Sequence, residues 1–217
     1  MRLPSEHGPN WVVLRANDDR TKPALPFAGQ APNWKPAAWD DPDRPQQVHL
    51  EVFVRDTGEA AGIVERNGAV RVEEDVWIDP AGHAIRLEPG EPGDAPGVIG
   101  HIVLDCSDPR VLAEFYRQLL GMETRVQDTA GRIVIADADR LPMLAFRRVS
   151  EHVAPRYPDP EYPQQMHMDI TFEDSRRAKR LAEQLGAVRV SDPSGRGHPD
   201  IYADPAGHPF CLGFPGQ

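Results

Sequence analysis

One ten-residue pattern occurs twice in this chain, and the repetition limits the folds open to it. Pro45–Val54 reads Pro-Gln-Gln-Val-His-Leu-Glu-Val-Phe-Val, and Pro163–Phe172 reads Pro-Gln-Gln-Met-His-Met-Asp-Ile-Thr-Phe. Strict alternation makes each a strand, with the His-x-acid pair on one face and apolar residues on the other. The polar face of a strand ordinarily meets water. Keeping His49 and Glu51 in one copy and His167 and Asp169 in the other points instead to a cleft. At the same shift of 118, Gly68–Val72 recurs as Gly186–Val190. After a seven-residue insertion, Asp79–His83 returns as Asp204–His208. Three matched blocks in fixed order establish an internal duplication, in two copies and not as a solenoid.

The elements around these blocks follow from periodicity and punctuation. Trp11–Arg15 reads as a short strand, and Asp18–Pro45 as a long proline-rich connection carrying Trp34 and Trp39. Ser150–Pro163, with Tyr157 and Tyr162, is its shorter counterpart. Aromatics placed before each His strand either cover a ligand or pack on the exterior. Strand Gln47–Val54 leads to a helix over Thr57–Asn67, stopped by Gly68, and to strands at Val70–Val72, Asp75–Ile78 and Ala84–Leu87. Glu88–Gly97, acidic and rich in Pro and Gly, reads as a linker. A second unit opens at Gly100–Asp105, and Ser107 or Asp108 caps a helix whose core stripe is Leu112, Phe115, Tyr116 and Leu119. Its strands lie at Glu123–Gln127, Arg132–Ala136 and Met143–Arg147. The order repeats as Gln165–Phe172, a helix over Asp174–Leu185, and strands at Ala187–Val190, Pro199–Ala203 and Pro209–Phe214. The pattern is βαβββ twice in residues 98–217, preceded by an incomplete version, which indicates an α+β fold.

Composition removes several function classes. A net charge of −10 argues against nucleic acid and anionic membrane surfaces as partners. Met1–Asn10 has no apolar core of an export signal, and no apolar run is long enough to span a bilayer. Cys106 and Cys211 are too few for a disulfide framework, so a cytoplasmic location is expected.

Gly100-His101-Ile102-Val103-Leu104, Gln165-Met166-His167-Met168-Asp169 and Tyr202-Ala203-Asp204-Pro205-Ala206-Gly207-His208-Pro209-Phe210-Cys211 together resemble the vicinal oxygen chelate superfamily, in particular its glyoxalase-like and bleomycin-resistance-like domains. The resemblance implies paired βαβββ modules forming an open, curled β-barrel cleft. It also implies a divalent metal held by a histidine on the first strand of each module and a glutamate four residues after the closing glycine. His101 and His167 match the histidines, but the glutamate position holds Cys211, and Arg86 in the earlier copy. Two readings stand. Cys211 joins His101 and His167 in a site for zinc, iron or manganese, or Asp169 or Asp105 supplies the oxygen ligand. Alternatively no metal binds and Cys211 is a small buried hydrophobe. His101, His167 and Asp169 are the candidate catalytic residues, with Asp169 as base. His83 and His208 sit in turns and read as structural, and His198 as solvated.

The resemblance implies a small-molecule ligand. One function is a lyase, isomerase or oxygenase with proton transfer at His167 and Asp169; the other is a non-catalytic protein that sequesters a drug or metabolite. Residues 98–217 are expected to be a complete two-module domain, 91–97 a linker, and 1–90 an incomplete domain. The unpartnered module in 1–90 is explained either by a chain that begins within a domain or by a homodimer. The expected dimer interface includes Gln47–Val54 or the strands after its helix.

Overall fold

A computed structural model describes the backbone of Ser5–Gly8, Trp11–Arg15 and Ala24–Ala28, and residues 39, 45–122, 124–138, 141–156, 159, 165–190 and 200–213. Trp34, Tyr157, Tyr162 and His198 lie outside the described residues. The chain divides into two compact units, Met1–Lys35 and Pro36–Gln217. In the first, β1 (Ser5–Gly8), β2 (Trp11–Arg15) and β3 (Ala24–Ala28) form an antiparallel sheet in that order. β3 falls inside the stretch read as a connection; its Pro26 is tolerated because β3 is an edge strand of this sheet.

The second unit contains three βαβββ modules. The first is β4 (Val48–Val54), α1 (Thr57–Arg66), β5 (Val70–Glu73), β6 (Val76–Ile78) and β7 (Ala84–Pro89). The next is β8 (Gly97–Cys106), α2 (Pro109–Leu120), β9 (Thr124–Asp128), β10 (Arg132–Ala136) and β11 (Met143–Arg148). The third is β12 (Met168–Thr171), α3 (Ser175–Gln184), β13 (Val188–Arg189), β14 (Asp200–Ala203) and β15 (Pro209–Gly213). Each helix starts at an aspartate: the Asp56, Asp108 and Asp174 side chains accept from the backbone N–H of Glu59, Arg110 and Arg177. Gly121 ends α2 in the left-handed region at φ 70°. The architecture is α+β with open sheets.

Which modules pair differs from the sequence expectation. The sheet order β5-β6-β7-β4-β8-β11-β10-β9 joins the first module to the second, while the third forms its own sheet, β12-β15-β14-β13. Residues 98–217 therefore do not close on each other across their first strands. The join is the antiparallel seam of β4 and β8, running from Val48↔Leu104 to Glu51↔His101 and, past an irregularity, to Val54↔Gly97. Chain length favours this choice. Seven residues, 90–96, separate β7 from β8, whereas nineteen, 149–167, separate β11 from β12. The segment read as a linker connects two halves of one sheet. β4 has both edges taken, by β7 and β8, so no further strand can pair with it.

The α2 stripe of Leu112, Phe115, Tyr116 and Leu119 packs on Leu104, Ile133, Ile135, Leu144 and Phe146 of its own module and on Tyr202, Phe210 and Leu212 of the third. Tyr116, fully buried, stacks on Phe146 and donates its hydroxyl to Asp204 Oδ2 at 2.9 Å. A smaller core of Val54, Ala60, Trp77 and Leu87 lies under α1. Among the described residues no helix is long and apolar enough to cross a membrane.

The duplicated Pro-Gln-Gln and Asp-Pro-Ala-Gly-His blocks meet each other. Gln165 Oε1 accepts from the Gln47 backbone N–H at 2.8 Å, and Gln47 Oε1 accepts from the Gln165 N–H at 3.4 Å. Gln165 Nε2 also donates to the Pro45 carbonyl at 2.8 Å. His83 bridges Asp79 and the Gln165 carbonyl, each at 3.2 Å, while His208 is held by Asp204 at 3.2 Å beside the Gln47 backbone. Part of what the duplication keeps is therefore a reciprocal clasp between the copies. Replacing Gln165 by leucine should remove both the acceptor and the donor and lower stability by about 1–3 kcal/mol in urea denaturation. Gln46→Ala should cost clearly less.

Candidate functional site

The β4–β8 seam brings two polar strand faces together on the side of the sheet opposite the helices. Glu51, 5% exposed, faces His101 across the seam, with Oε2 2.7 Å from His101 Nδ1. Arg132, from β10, closes on the same carboxylate with both terminal nitrogens, at 3.0 Å to Oε1 and 2.6 Å to Oε2. His49 Nε2 stands 3.7 Å from Oε1. Burial alone would raise the Glu51 pKa, but the hydrogen bonds of His101, His49 and Arg132 outweigh it and hold the carboxyl far below its ordinary value. His49 is buried, and desolvation lowers its pKa, keeping the ring neutral near pH 7. Beside this cluster, Arg147 Nε and Nη2 grip the buried Asp105 carboxylate at 2.7 Å each. Phe53 sets its ring edge-on to His101, 5.1 Å between centroids. A Cβ at position 100 would come within 2.5 Å of that ring, so glycine is required before His101.

The second copy of the motif has different neighbours. His167 Nε2 lies 3.4 Å from Asp169 Oδ1, and the Cys211 thiol, from β15, reaches the same carboxylate. The donor atoms of His167, Asp169 and Cys211 all lie within 4.8 Å of one another. Register explains the meeting, because Asp169 pairs with Cys211 in the parallel β12–β15 ladder. The hydrogen bond from His167 lowers the Asp169 pKa against the opposing effect of burial. Burial and the neighbouring Asp169 push the Cys211 thiol up to about 12, so it is protonated at neutral pH.

The structure thus brings together His167, Asp169 and Cys211 but not His101 and His167. The expected set His101–His167–Cys211 is replaced by two clusters on two sheets, because the first strands that pair are those of His49 and His101. Asp105, considered as an oxygen ligand, is occupied by Arg147, and Arg86 pairs with Asp75. The two cluster arginines, Arg132 and Arg147, carry no sequence signal. They reach the seam only because β10 and β11 align them opposite each other, Arg132↔Arg147. Trp39, from the proline-rich connection, donates to Glu73 Oε1 at 2.9 Å. With Gln46, Asp105, Arg147 and His152 it borders a shallow pocket of about 180 Å³.

The family model described as "Glyoxalase-like domain" matches residues 101–213, more than half of the chain. The fold is similar to that of glyoxalase I from Zea mays, with a TM-score of 0.63 and 16% identity over 97% of this chain and 82% of that one. A mutant of the same maize enzyme aligns at a TM-score of 0.55 and 16% identity, covering 78% of this chain and 69% of that one. At such identity the likeness is one of fold. No curated protein sequence matches the chain.

Removing the Glu51 charge tests the seam. Glu51→Gln leaves Arg132 without its buried partner and should cost about 3 kcal/mol or more in denaturant unfolding. Because the folded Glu51 pKa is depressed below 4.5, its contribution to wild-type stability is present above that value and lost as pH falls toward the folded pKa. The variant should therefore show a flatter stability curve below about pH 4.5 than the wild type.

Proposed function

Since the chain belongs to the glyoxalase-like domain family of the vicinal oxygen chelate superfamily, we propose that it binds a small polar molecule against the His167–Asp169 face and moves a proton there. The observation that carries this reading is the contrast between the two copies of one motif. Glu51 is enclosed by an arginine and two histidines, whereas the His167 and Asp169 side chains remain 34% and 60% exposed. Asp169, held ionised, is a poor base near neutral pH. Its role is to orient His167: the carboxylate engages Nε2, which leaves Nδ1 to take a proton from the ligand. The base is then His167, with Asp169 positioning it.

A second reading is favoured by Cys211. Tetrahedral zinc with bonds of roughly 2.0–2.3 Å needs donors about 3.3–3.8 Å apart. The His167–Asp169 distance of 3.4 Å meets this, the three donor atoms all lie within 4.8 Å of one another, and the set suits zinc in kind and number. A divalent ion held by His167, Asp169 and Cys211 would polarise a carbonyl oxygen of the ligand. The thiol must lose its proton on binding, so zinc affinity should rise with pH through the neutral range.

Two measurements check these readings. Deuterium exchange next to the carbonyl of a panel of small α-hydroxycarbonyl compounds, followed by NMR, should be catalysed by the wild type and slowed about 100-fold or more in His167→Ala. Saturable binding without exchange would make the protein a sequestering one, and neither binding nor exchange would sink the proposal. Separately, zinc should raise the wild-type Tm but not that of Cys211→Ser, and an equal rise in both would remove Cys211 as a ligand.

A further inference from the structure

We propose that His83 and His208 are a matched pair of proton-dependent latches between the first and third modules, each protonated ring joining the carboxylate of its own turn to the strand start of the other copy. The inference concerns how the third module is held and does not depend on the ligand chemistry above.

The two turns are one structure built twice. In the first, Asp79 Oδ1 accepts from the N–H of Ala81 at 2.8 Å and of His83 at 2.9 Å, and Gly82 turns the chain at φ 93°. In the second, Asp204 Oδ1 accepts from Ala206 at 2.8 Å and His208 at 2.9 Å, with Gly207 at φ 91°. The N–H of each aspartate bonds the carbonyl of its histidine, at 2.9 Å and 3.0 Å. Each carboxylate then presents Oδ2 to the histidine's Nδ1 at 3.2 Å. This frame turns both rings toward the opposite copy. His83 Nε2 reaches the Gln165 carbonyl at 3.2 Å, two residues before His167. His208 is buried with its Nε2 enclosed, and the Gln47 backbone acts on the ring in the sense that favours its charge.

The acceptors fix the protonation state. An ionised carboxylate and a main-chain carbonyl only accept hydrogen bonds. A neutral imidazole carries one N–H and serves Asp79 or Gln165, whereas the imidazolium serves both. The surroundings agree. The hydrogen bond to Asp79 raises the His83 pKa against burial, with the Asp79 charge and the Gln165 carbonyl adding to it. Burial would raise the Asp79 pKa, but the bonds from His83 outweigh it and keep the carboxyl ionised. Burial likewise opposes charge on His208, yet Asp204, with Asp105 and Gln47, raises its pKa. Asp204 also accepts from Tyr116, Asp105 is gripped by Arg147, and the His152 ring, 5.6 Å from that of His208, is engaged at Nε2 by the Ala206 carbonyl. Both folded pKa values therefore stand above 6.5. The stability contributed by the latches is fully present below that value and is lost as pH rises through the folded pKa. The first and third modules share no strand ladder, so the third module should loosen while the β4–β8 seam stays closed.

The test uses the full chain without ligand. Long-range proton–nitrogen NMR spectra should show both ring nitrogens of His83 and of His208 protonated at about pH 6, with both rings titrating above 6.5. The wild-type Tm should fall between about pH 6.5 and 8.5, and His83→Gln should remove about half of that dependence. Over the same range, amide exchange corrected for its intrinsic pH dependence should show β12 and β15 losing about tenfold in protection relative to β4 and β8. His83→Gln and His208→Gln together should abolish that loss. If the variant with buried His208 replaced does not fold, the wild-type ring titrations and His83→Gln alone decide. Either ring titrating at or below 6.5, or carrying one proton at about pH 6, overturns the proposal. So does an unchanged pH dependence in His83→Gln. Protonated rings with third-module protection independent of pH would make the two histidines fixed structural cations, which also overturns it. No arm contains a ligand, so failure here leaves the functional reading standing, and failure of that reading leaves the latches.

Discussion

The antiparallel pairing of β4 with β8 is the constraint from which most of this structure follows. Two strands that each begin with a polar, outward-turned face are placed side by side, and residues meant for a cleft become neighbours in a nearly dry layer. Glu51, His49 and Asp105 are all buried there. An unpaired carboxylate in such a place would cost several kcal/mol. Arg132 and Arg147, arriving from β10 and β11, make the burial tolerable through bidentate geometry, and Gly100 admits the Phe53 ring that closes over His101. The seam is therefore organised by charge matching as much as by backbone hydrogen bonds.

The third module is attached by different means. Its sheet does not continue the large one; it packs on α2 through Tyr202, Phe210 and Leu212, and the Tyr116 hydroxyl anchors Asp204 in the turn before β15. The duplicated blocks add the clasp of Gln47 and Gln165, in which each copy satisfies a backbone N–H of the other. Gln47 is buried, so its N–H needs a partner, and the repeat provides one by symmetry. Duplication here preserves an interface as well as a fold.

One motif in two settings then has two environments. In the seam the carboxylate of the pair is taken up by Arg132, His101 and His49 and serves cohesion. On β12 the same spacing meets a thiol, and its histidine and carboxylate stay accessible. The difference lies in what each strand is paired with.

Much of this was legible in the chain itself. The helices, the α2 stripe and the order of strands in each module follow from alternation, period and punctuation, which depend on near neighbours along the sequence. The repeat showed that His49–Glu51 and His167–Asp169 are equivalent, and the position of Cys211 marked it as either a ligand or a small buried hydrophobe. The tertiary structure alone decided that His101 joins Glu51 and not His167, that Arg132 and Arg147 complete the seam, and that β12 stays out of the large sheet. Those outcomes depend on which first strands pair, and that choice turns on connection length and on long-range register. Local pattern encodes neither, because a strand's alternation is the same whichever neighbour it meets.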